Sequence, residues 1–268
     1  MTKYQLGVIG AGNMAEALLR GVISANLIDH NAVVASDPQF SRRQHFTREL
    51  GITTEDDNSI PAQCPRIILA VKPQIMSEVL EGIAEAINPD ATVISIASGI
   101  RSQFISDSLG GKGRIVRVMP NTPMLVGAGV SAVCAGPGAE EADLAWTEKL
   151  FAACGNTVRV AEELIDAIIA VSGSGPAYFF YLIEAMIAAG VAEGLDRDMA
   201  MDLAIQTCRG AGELLVRTGE PPEVLRARVT SPGGTTQAAV ESMESSGVKE
   251  ALIAAFRRAA ERSRELGK

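Results

Sequence analysis

Two glycines and an alanine near the N-terminus have the spacing of a turn that binds a diphosphate. The segment Gly10-Ala11-Gly12-Asn13-Met14-Ala15 ends a short apolar run and opens a helical pattern. Gly10 permits a tight turn, Gly12 lets the backbone approach a pyrophosphate, and Ala15 keeps the helix close to the strand. Free N–H groups at the helix N-terminus favour the anion. The spacing predicts an oxidoreductase that binds a nicotinamide dinucleotide.

The end of the next predicted strand bears on which dinucleotide is bound. Asp37 follows Ser36 there, and a carboxylate can accept hydrogen bonds from a ribose 2′-hydroxyl and repel a 2′-phosphate, which favours NAD(H). Arg42 and Arg43 follow closely and can neutralise a phosphate, which favours NADP(H). A plain helix cap is the alternative role for Asp37. The residues alone leave the cofactor open.

A run of hydroxyl and glycine residues in the C-terminal half has the composition of a carboxylate site. It reads Val229-Thr230-Ser231-Pro232-Gly233-Gly234-Thr235-Thr236 and is followed by a helical pattern. Exposed N–H groups at the start of that helix can bind an anion, and the alternative is an ordinary capped turn. The segment 171–178 also interrupts a helical pattern with two glycines and a proline, which either ligand approach or close helix packing explains.

The scarcity of proton donors narrows the reaction. Hydride transfer needs no nucleophile or metal from the protein, because the cofactor carries the reactive hydrogen. A ketone reductase usually needs a His, Lys or Tyr acid beside the carbonyl oxygen. Residues 163–268 contain no histidine, and Lys249 is their one lysine before the terminal residue. We therefore expect a substrate that protonates easily, such as an imine, with a hydroxyl or water as proton source.

Two kinds of elements must position these residues. Up to about residue 162, short β-branched runs alternate with helical patterns, which predicts a Rossmann-type, doubly wound parallel sheet covered by helices. The predicted strands are 5–10, 32–36, 67–71, 92–96, 115–118, 130–135 and 158–160, and helices are predicted over 13–25, 74–86 and 140–153. Residues 1–162 are thus predicted to form the NAD(P)-binding domain, and residues 163–268 an all-helical substrate and dimerisation domain.

The helix that contains Phe179 to Val191 is apolar nearly all round, so we expect it to be buried, against another subunit. Gly194 should end that helix and Asp196 should cap the next one.

Composition excludes other classes of function. The net charge is −8 and the basic residues are scattered, which argues against nucleic acid. No run reaches about 18 uninterrupted apolar residues, and the N-terminus does not resemble a signal peptide. We therefore expect no membrane span and a cytoplasmic location. The four cysteines are far apart, which predicts buried, reduced side chains and no metal site. His30 and His45 lie among polar residues and are expected to be exposed.

The motifs taken together resemble the pyrroline-5-carboxylate reductases, over nearly the whole chain. The resemblance rests on GAGNMA (10–15), AVKP (70–73), MPNTP (119–123), SGSGPAY (172–178) and SPGGTT (231–236). It implies reduction of 1-pyrroline-5-carboxylate to L-proline by NADP(H) or NAD(H), the last step of proline biosynthesis. It also implies dimers formed by interlocked helical domains, often assembled into decamers.

The same resemblance assigns residues to the two ligands. Those assigned to the dinucleotide are Ile9, Gly10, Ala11, Gly12, Asn13, Met14, Ser36, Asp37, Asn58, Ala70, Val71, Lys72, Pro73, Ala97, Ser98, Gly99 and Asn121. Those assigned to the substrate are Ser231, Gly233, Gly234, Thr235, Thr236 and Glu220, with Thr236 against the ring nitrogen as the catalytic residue. Several family members carry a small hydroxyl residue at the position of Asp37, which adds to the ambiguity between the two cofactors.

Two alternatives to this function follow from the same features. One is another two-domain reductase of imines or 3-hydroxy acids, although the hydroxy-acid enzymes carry a lysine on the long interdomain helix and residues 163–193 contain none. The other is a non-catalytic NAD(P)-binding regulator whose helical half only dimerises.

Overall fold

The computed structural model describes residues 3–267, which form two compact units. One unit comprises the residues up to Gly173 together with those from Ala260 onward, and the other comprises Ser174–Ala259. Residues 163–173 and the chain end after Ala260 therefore group with the sheet, whereas the sequence-based boundary assigns both to the helical domain. Residues 163–173 pack on the sheet because Ile165 and Ile169 share a buried cluster with Ala132 and Cys134.

The sheet unit is built on an eight-stranded sheet with the order β3-β2-β1-β4-β5-β6-β7-β8. The strands are β1 Leu6–Ile9, β2 Val33–Ser36, β3 Thr53–Glu55, β4 Arg66–Leu69, β5 Thr92–Ser95, β6 Arg114–Met119, β7 Gly129–Ala135 and β8 Gly155–Arg159. The Rossmann-type fold predicted from the alternating pattern is confirmed. Strand β3 was not predicted, because its three residues are half-buried and carry no apolar run.

One pair of strands departs from the predicted parallel arrangement. β7 runs antiparallel to β6, with Val118 opposite Val133, while every other pair in the sheet is parallel. Only a 3₁₀ helix, Thr122–Val126, connects the two strands, and a connection so short cannot form the crossover that a parallel pair needs.

Helices cover both faces of the sheet. They are α1 Asn13–Ser24, α2 Phe40–Leu50, α3 Ser59–Ala62, α4 Met76–Ile83, α5 Ser102–Ser108, α6 Glu141–Ala152 and α7 Ile165–Ile168. One buried cluster joins Leu18 and Phe151 to Val8, and another joins Leu80 and Ile105 to Ile9. Because successive side chains of β1 thus enter opposite layers, both of its faces are buried, as its unbroken apolar run predicts.

The second unit contains helices only, as predicted. They are α8 Gly175–Ala192, α9 Arg197–Thr218, α10 Pro222–Arg228, α11 Thr235–Ser245 and α12 Val248–Leu266, the last of which continues into the sheet unit from Ala260. The side chain of Asp196 accepts hydrogen bonds from the N–H groups of Asp198 and Met199, so the predicted N-cap of α9 is present. Gly194 follows α8 with a φ of 94°.

Helix α8 is largely exposed within a single chain, although its composition predicts burial. Gly175 and Ile187 are its buried residues, while Phe180 is 61% exposed and Tyr181 is 76% exposed. The helix has apolar residues on all sides, and within this chain helix α9 can cover only part of that surface. The stretch 162–192 that includes α8 is also long and apolar enough to cross a membrane, by length and composition alone. A core helix of a soluble protein meets the same test.

The cysteines and histidines agree with the sequence-based expectations in part. Among the described residues the cysteines form no disulfide; Cys64, Cys134 and Cys154 are buried, whereas Cys208 is only partly buried. Burial raises the pKa of the Cys134 thiol to about 12, so this thiol stays protonated near neutral pH. His30 is exposed, but the side chain of His45 is only 30% exposed because it packs beside Glu16.

Candidate functional site

The glycine turn lies where the order of strands in the sheet reverses, between β1 and β4. In open α/β sheets, ligands bind outside the carboxyl ends of the strands at such a point. Gly10 follows β1 with a φ of 100°, and a Cβ added to it would lie 2.8 Å from the carbonyl oxygen of Ala70, which follows β4. Only glycine can occupy this position, because both the backbone conformation and the contact exclude a side chain.

The residues at the start of α1 leave room and hydrogen-bond donors for a diphosphate. Gly12 is the N-cap of α1, no side chain caps this end, and a Cβ added to Gly12 would meet no atom within 4 Å. The N–H groups of Asn13 and Met14 in the first helical turn are therefore available to an anion. Ala15 is buried, as the fingerprint requires for close packing of helix and strand. This geometry fits a dinucleotide.

Asp37 is bound to the glycine turn by its carboxylate. One oxygen accepts a hydrogen bond from the N–H of Ala11 at 2.9 Å, and the other accepts from the N–H of Gln39 at 2.8 Å. Gln39 is the N-cap of α2, so Asp37 joins the end of β2 to the glycine turn and to the start of α2. The proposed roles as ribose ligand and as helix-terminal residue are thus compatible.

The two arginines after Asp37 have different surroundings. Arg42 donates from Nε to the carbonyl of Ala11 at 2.7 Å and lies 3.2 Å from Glu16. Arg43 donates to the carbonyl oxygens of Asp37 and Pro38, at 2.8 and 3.0 Å. The one carboxylate near Arg43 among the described residues is the exposed Asp56, at 3.7 Å. The charge of the Arg43 guanidinium is therefore less neutralised by a carboxylate than that of Arg42, which makes Arg43 the candidate for binding a phosphate.

A polar cluster supports the glycine turn from α1 and was not foreseen from the sequence. Glu16 lies 2.9 Å from both His45 and Arg20, in addition to Arg42. Burial raises the pKa of Glu16, but the hydrogen bonds from His45, Arg20 and Arg42 together lower it by more than burial raises it, so the pKa lies below its ordinary value. Glu16 therefore remains ionised and keeps Arg42 on the carbonyl of Ala11.

The other predicted cofactor residues lie in loops at the same carboxyl edge of the sheet. The hydroxyl of Ser36 donates to the side-chain oxygen of Asn58 at 2.7 Å, which brings the ends of β2 and the start of α3 together. Ile9 ends β1, Ala70 to Pro73 follow β4, and Ala97 to Gly99 follow β5. Lys72 is exposed, and Gly99 is buried with a φ of 78°.

The side chain of Asn121, also assigned to the cofactor, is hydrogen-bonded to two other segments of the chain. The residue follows β6 and is 9% exposed. Its amide oxygen accepts from the N–H of Val130 at 2.8 Å, and its amide nitrogen donates to the carbonyl of Ser172 at 3.1 Å. Ser172 belongs to a π-helical turn, Ile169–Gly173, within the SGSGPAY motif. These hydrogen bonds give the side chain of Asn121 a structural role and join it to the first residue of that motif.

The hydroxyl and glycine loop forms an open N-terminus in the helical unit. Gly233 has a φ of 70°, and its N–H donates to the side chain of Gln237 at 2.7 Å. Gly234 is the N-cap of α11 without a side-chain cap, and a Cβ added there would lie 2.7 Å from the hydroxyl oxygen of Ser231. The N–H groups of Thr235 and Thr236 therefore face the loop without a capping side chain.

The loop's hydroxyls differ in exposure and in partners. Ser231 and Thr235 are exposed and Thr236 is half-buried. Thr230, by contrast, donates its hydroxyl to the carbonyl of Arg226 at 2.7 Å and so serves the end of α10. The remaining hydroxyls and N–H groups can bind a small carboxylate.

Glu220 does not stand free beside this loop. Both of its oxygens accept hydrogen bonds from the guanidinium of Arg228, one of them at 2.6 Å. Arg228 ends α10 and directly precedes the loop. Sequence reasoning missed Arg228, and its position before the loop was the one available signal. Among the described residues, no group of acidic, histidine and cysteine side chains is arranged to hold a metal ion.

Two family models match the chain in the regions of the two units. Residues 162–266 match pyrroline-5-carboxylate reductase dimerisation, and residues 5–99 match NADP oxidoreductase coenzyme F420-dependent.

Relatives that match over the whole chain are named pyrroline-5-carboxylate reductase. A pyrroline-5-carboxylate reductase of Methanosarcina acetivorans is 41% identical over 100% of both chains, and one of Synechocystis is 42% identical over 98% of both.

Solved structures agree with these relatives. A pyrroline-5-carboxylate reductase from Coxiella burnetii matches with a TM-score of 0.92 and 35% identity over 100% of both chains. A Plasmodium falciparum pyrroline carboxylate reductase with NADP bound matches with a TM-score of 0.89 and 32% identity over 100% of both chains.

Proposed function

Because the chain belongs to the pyrroline-5-carboxylate reductase family, we propose that it reduces 1-pyrroline-5-carboxylate to L-proline with NADPH or NADH, as the last step of proline biosynthesis. The single observation that carries the choice of substrate is the loop before α11, where glycine backbone, free hydroxyls and uncapped N–H groups converge. A small anion that also bears a basic nitrogen matches these donors. A 3-hydroxy acid would offer a carboxylate to the same loop, but residues 163–193 lack the lysine that the hydroxy-acid enzymes carry, and a non-catalytic regulator does not require such a loop.

The sheet unit would hold the cofactor through its glycine turn. The N–H groups at the start of α1 would bind the diphosphate, while Asp37 and Arg43 lie at the end of β2 where the adenosine ribose is expected. A bound reduced nicotinamide supplies the hydride that the imine carbon accepts. The loops 70–73 and 97–99 would line the remainder of the dinucleotide.

The helical unit would hold and orient the substrate. The N–H groups of the 231–236 loop would bind the substrate carboxylate, helped by the positive end of the α11 dipole. The hydroxyl of Thr236 would hydrogen-bond the ring nitrogen and hold or deliver its proton, which keeps the imine electrophilic. Glu220 would act by orienting the guanidinium of Arg228 beside the loop.

Other features of the proposal concern the cellular setting. The exposed apolar surface of α8 and the matching dimerisation model support a homodimer, and the family resemblance extends this to a decamer. Buried reduced cysteines and an acidic net charge support a cytoplasmic enzyme that binds neither membranes nor nucleic acid.

A spectrophotometric assay with both cofactors tests the proposal. The purified protein should oxidise NADPH or NADH when 1-pyrroline-5-carboxylate is added, and amino-acid analysis should identify L-proline as the product. A regulator would bind the cofactor without oxidising it, and a hydroxy-acid enzyme would instead reduce NAD⁺ or NADP⁺ with a 3-hydroxy acid. Either result would contradict the proposed function.

A further inference from the structure

The last turn of the chain packs on one of the loops assigned to the cofactor. This C-terminal turn, Ser263–Gly267, belongs to the sheet unit, although α12 begins in the helical unit. A Cβ added to Gly99 would lie 3.4 Å from the carbonyl oxygen of Leu266 and 3.5 Å from its Cβ. A Cβ added to Gly267 would lie 3.1 Å from the carbonyl oxygen of Gly99. The two backbones are therefore in direct contact.

The C-terminal turn is itself held in place. The hydroxyl of Ser263, which is 4% exposed, donates to the carboxylate of Asp166 at 2.5 Å. The N–H of Gly267 donates to the carbonyl of Ser263 at 3.1 Å, which extends the helical hydrogen bonding to Gly267. The turn is thus a fixed support, because a buried polar side chain anchors it to the sheet unit.

The supported loop is otherwise restrained at its start, where Ala97 is buried and its N–H donates to the hydroxyl of Ser95 at 3.3 Å, so its freedom lies at Gly99. Gly99 adopts a φ of 78°, which glycine reaches without strain but which it can also leave easily. A cavity of 280 Å³ borders Gly99, Arg264 and Gly267, so the loop has space into which it can move. Contact with the C-terminal turn therefore limits the conformations of the 97–99 loop.

We propose that the C-terminal turn Ser263–Gly267 is a positioning element that holds the Ala97–Gly99 loop in its cofactor-binding conformation. The inference rests on the proposed function, since it takes this loop as part of the dinucleotide site. It assigns to the C-terminal turn a role in cofactor affinity that acts through its contact with Gly99. Ser263 and Gly267 are positioning residues in this sense.

A chain that ends at Glu265 tests the proposal in the otherwise complete protein. We expect its dissociation constant for NADPH, measured by the fluorescence of the reduced nicotinamide, to rise about 3- to 20-fold, the range typical of residues that act on a site without touching the ligand. The KM for 1-pyrroline-5-carboxylate at saturating NADPH should not change. A support that matters only for stability would lower the melting temperature and leave the NADPH affinity of the folded protein unchanged.

Three substitutions complete the experiment. Gly267→Ala removes nothing and adds a methyl group against the carbonyl of Gly99, so it should weaken NADPH binding even if the shortened chain does not fold. Ser263→Ala removes the anchor to Asp166 and should act in the same direction. Arg262→Ala is the matched control, because it loses only an exposed ion pair with Glu265.

The outcomes separate this inference from the proposed function. If the folded variants bind NADPH as tightly as the unaltered protein, the positioning role is overturned. If NADPH binds and the variants weaken it, but 1-pyrroline-5-carboxylate is not reduced, the positioning role stands and the proposed function fails.

Discussion

Thr236 is the residue on which the proposed chemistry depends most directly. It is half-buried in the first turn of α11, and its hydroxyl can both donate and accept a hydrogen bond. We expect Thr236→Val to lower kcat/KM by about 100-fold or more, the usual size of a lost proton-transfer partner. Thr236→Ser should retain most activity, because it keeps the hydroxyl.

Steady-state kinetics and NADPH binding check this prediction together. The cofactor's dissociation constant should be the same in both variants, since Thr236 lies in the helical unit. An unchanged kcat/KM in Thr236→Val would show that the Thr236 hydroxyl takes no part in the reaction.

Cofactor choice is the second question at the scale of residues. We expect Arg43→Ala to raise the KM for NADPH about tenfold and the KM for NADH much less, because a charged hydrogen bond to the 2′-phosphate is worth about 1.5–3 kcal/mol. Arg42→Ala is the matched control. It should affect both cofactors alike, because Arg42 supports the carbonyl of Ala11. Equal losses for both cofactors in Arg43→Ala would contradict the assignment.

The sequence identified these residues by type but not by partner. Asp37 and both arginines were recognised as groups that choose between NAD(H) and NADP(H). Their order along the chain does not determine which arginine faces the cofactor. Their partners separate them, because Arg42 is bound to Glu16 and Ala11 while the one ion pair of Arg43 among the described residues is the longer one with exposed Asp56.

At the scale of elements, Asn121 joins three of them. Its amide links the segment after β6 to the start of β7 and to the π-helical turn before α8. Asn121→Ala leaves the half-buried N–H of Val130 and carbonyl of Ser172 without this partner, at up to about 1–3 kcal/mol for each group. We therefore expect a lower urea midpoint of unfolding.

NADPH binding decides between the two roles of Asn121. If NADPH affinity falls strongly while the urea midpoint is unchanged, Asn121 is a cofactor ligand, as the family resemblance implies, and its structural role is minor. Asn121→Asp is a useful companion, because it keeps an acceptor for Val130 and loses the donor to Ser172.

Asp143 connects α6 to two strands and gives the fold a dependence on pH. Its carboxylate accepts from Arg114 at 2.7 and 2.9 Å and from the hydroxyl of Thr92. Burial raises the pKa of Asp143, but these hydrogen bonds lower it more, so that the folded-state pKa lies below the ordinary value of 3.8. The stabilisation is complete above that value and is lost as the pH falls through the lower, folded-state pKa.

Acid unfolding measures this contribution. Below about pH 4 the free energy of unfolding should fall with pH, and Asp143→Asn should be less stable than the unaltered protein at pH 7 with a shallower loss in acid. Glu141→Gln is the control, because Glu141 lies in the same helix as Asp143 and its side chain is 75% exposed. If the free energy of unfolding of Asp143→Asn falls with pH as steeply as that of the unaltered protein, Asp143 is not the source of this pH dependence.

At the scale of the whole molecule, the exposed apolar surface of α8 requires a partner. Phe179, Phe180, Tyr181 and Leu182 are each more than half exposed in the single chain. Leu182→Glu should weaken the dimer about 100-fold or more, because an unpaired charge is costly to bury in an interface. Lys149→Glu is the control, since it changes an exposed charge in the sheet unit.

Sedimentation and melting experiments read out the assembly. The unaltered protein should melt at higher temperature as its concentration rises, and Leu182→Glu should sediment as a smaller species. If Leu182→Glu has the same assembly state as the unaltered protein, this face of α8 is not the dimer interface.

The local features of this protein could be predicted from its sequence. The glycine spacing predicted the turn after β1, the alternating pattern predicted the Rossmann-type sheet, and the run 231–236 predicted an open helix N-terminus. These features depend on backbone conformation and on neighbours a few residues away, so the local sequence is sufficient to specify them. The tertiary structure alone decided that β7 runs antiparallel to β6, that Arg42 rather than Arg43 serves the glycine turn, and that the C-terminal turn packs on Gly99. Each of these depends on contacts between residues far apart in the chain, which no local pattern encodes.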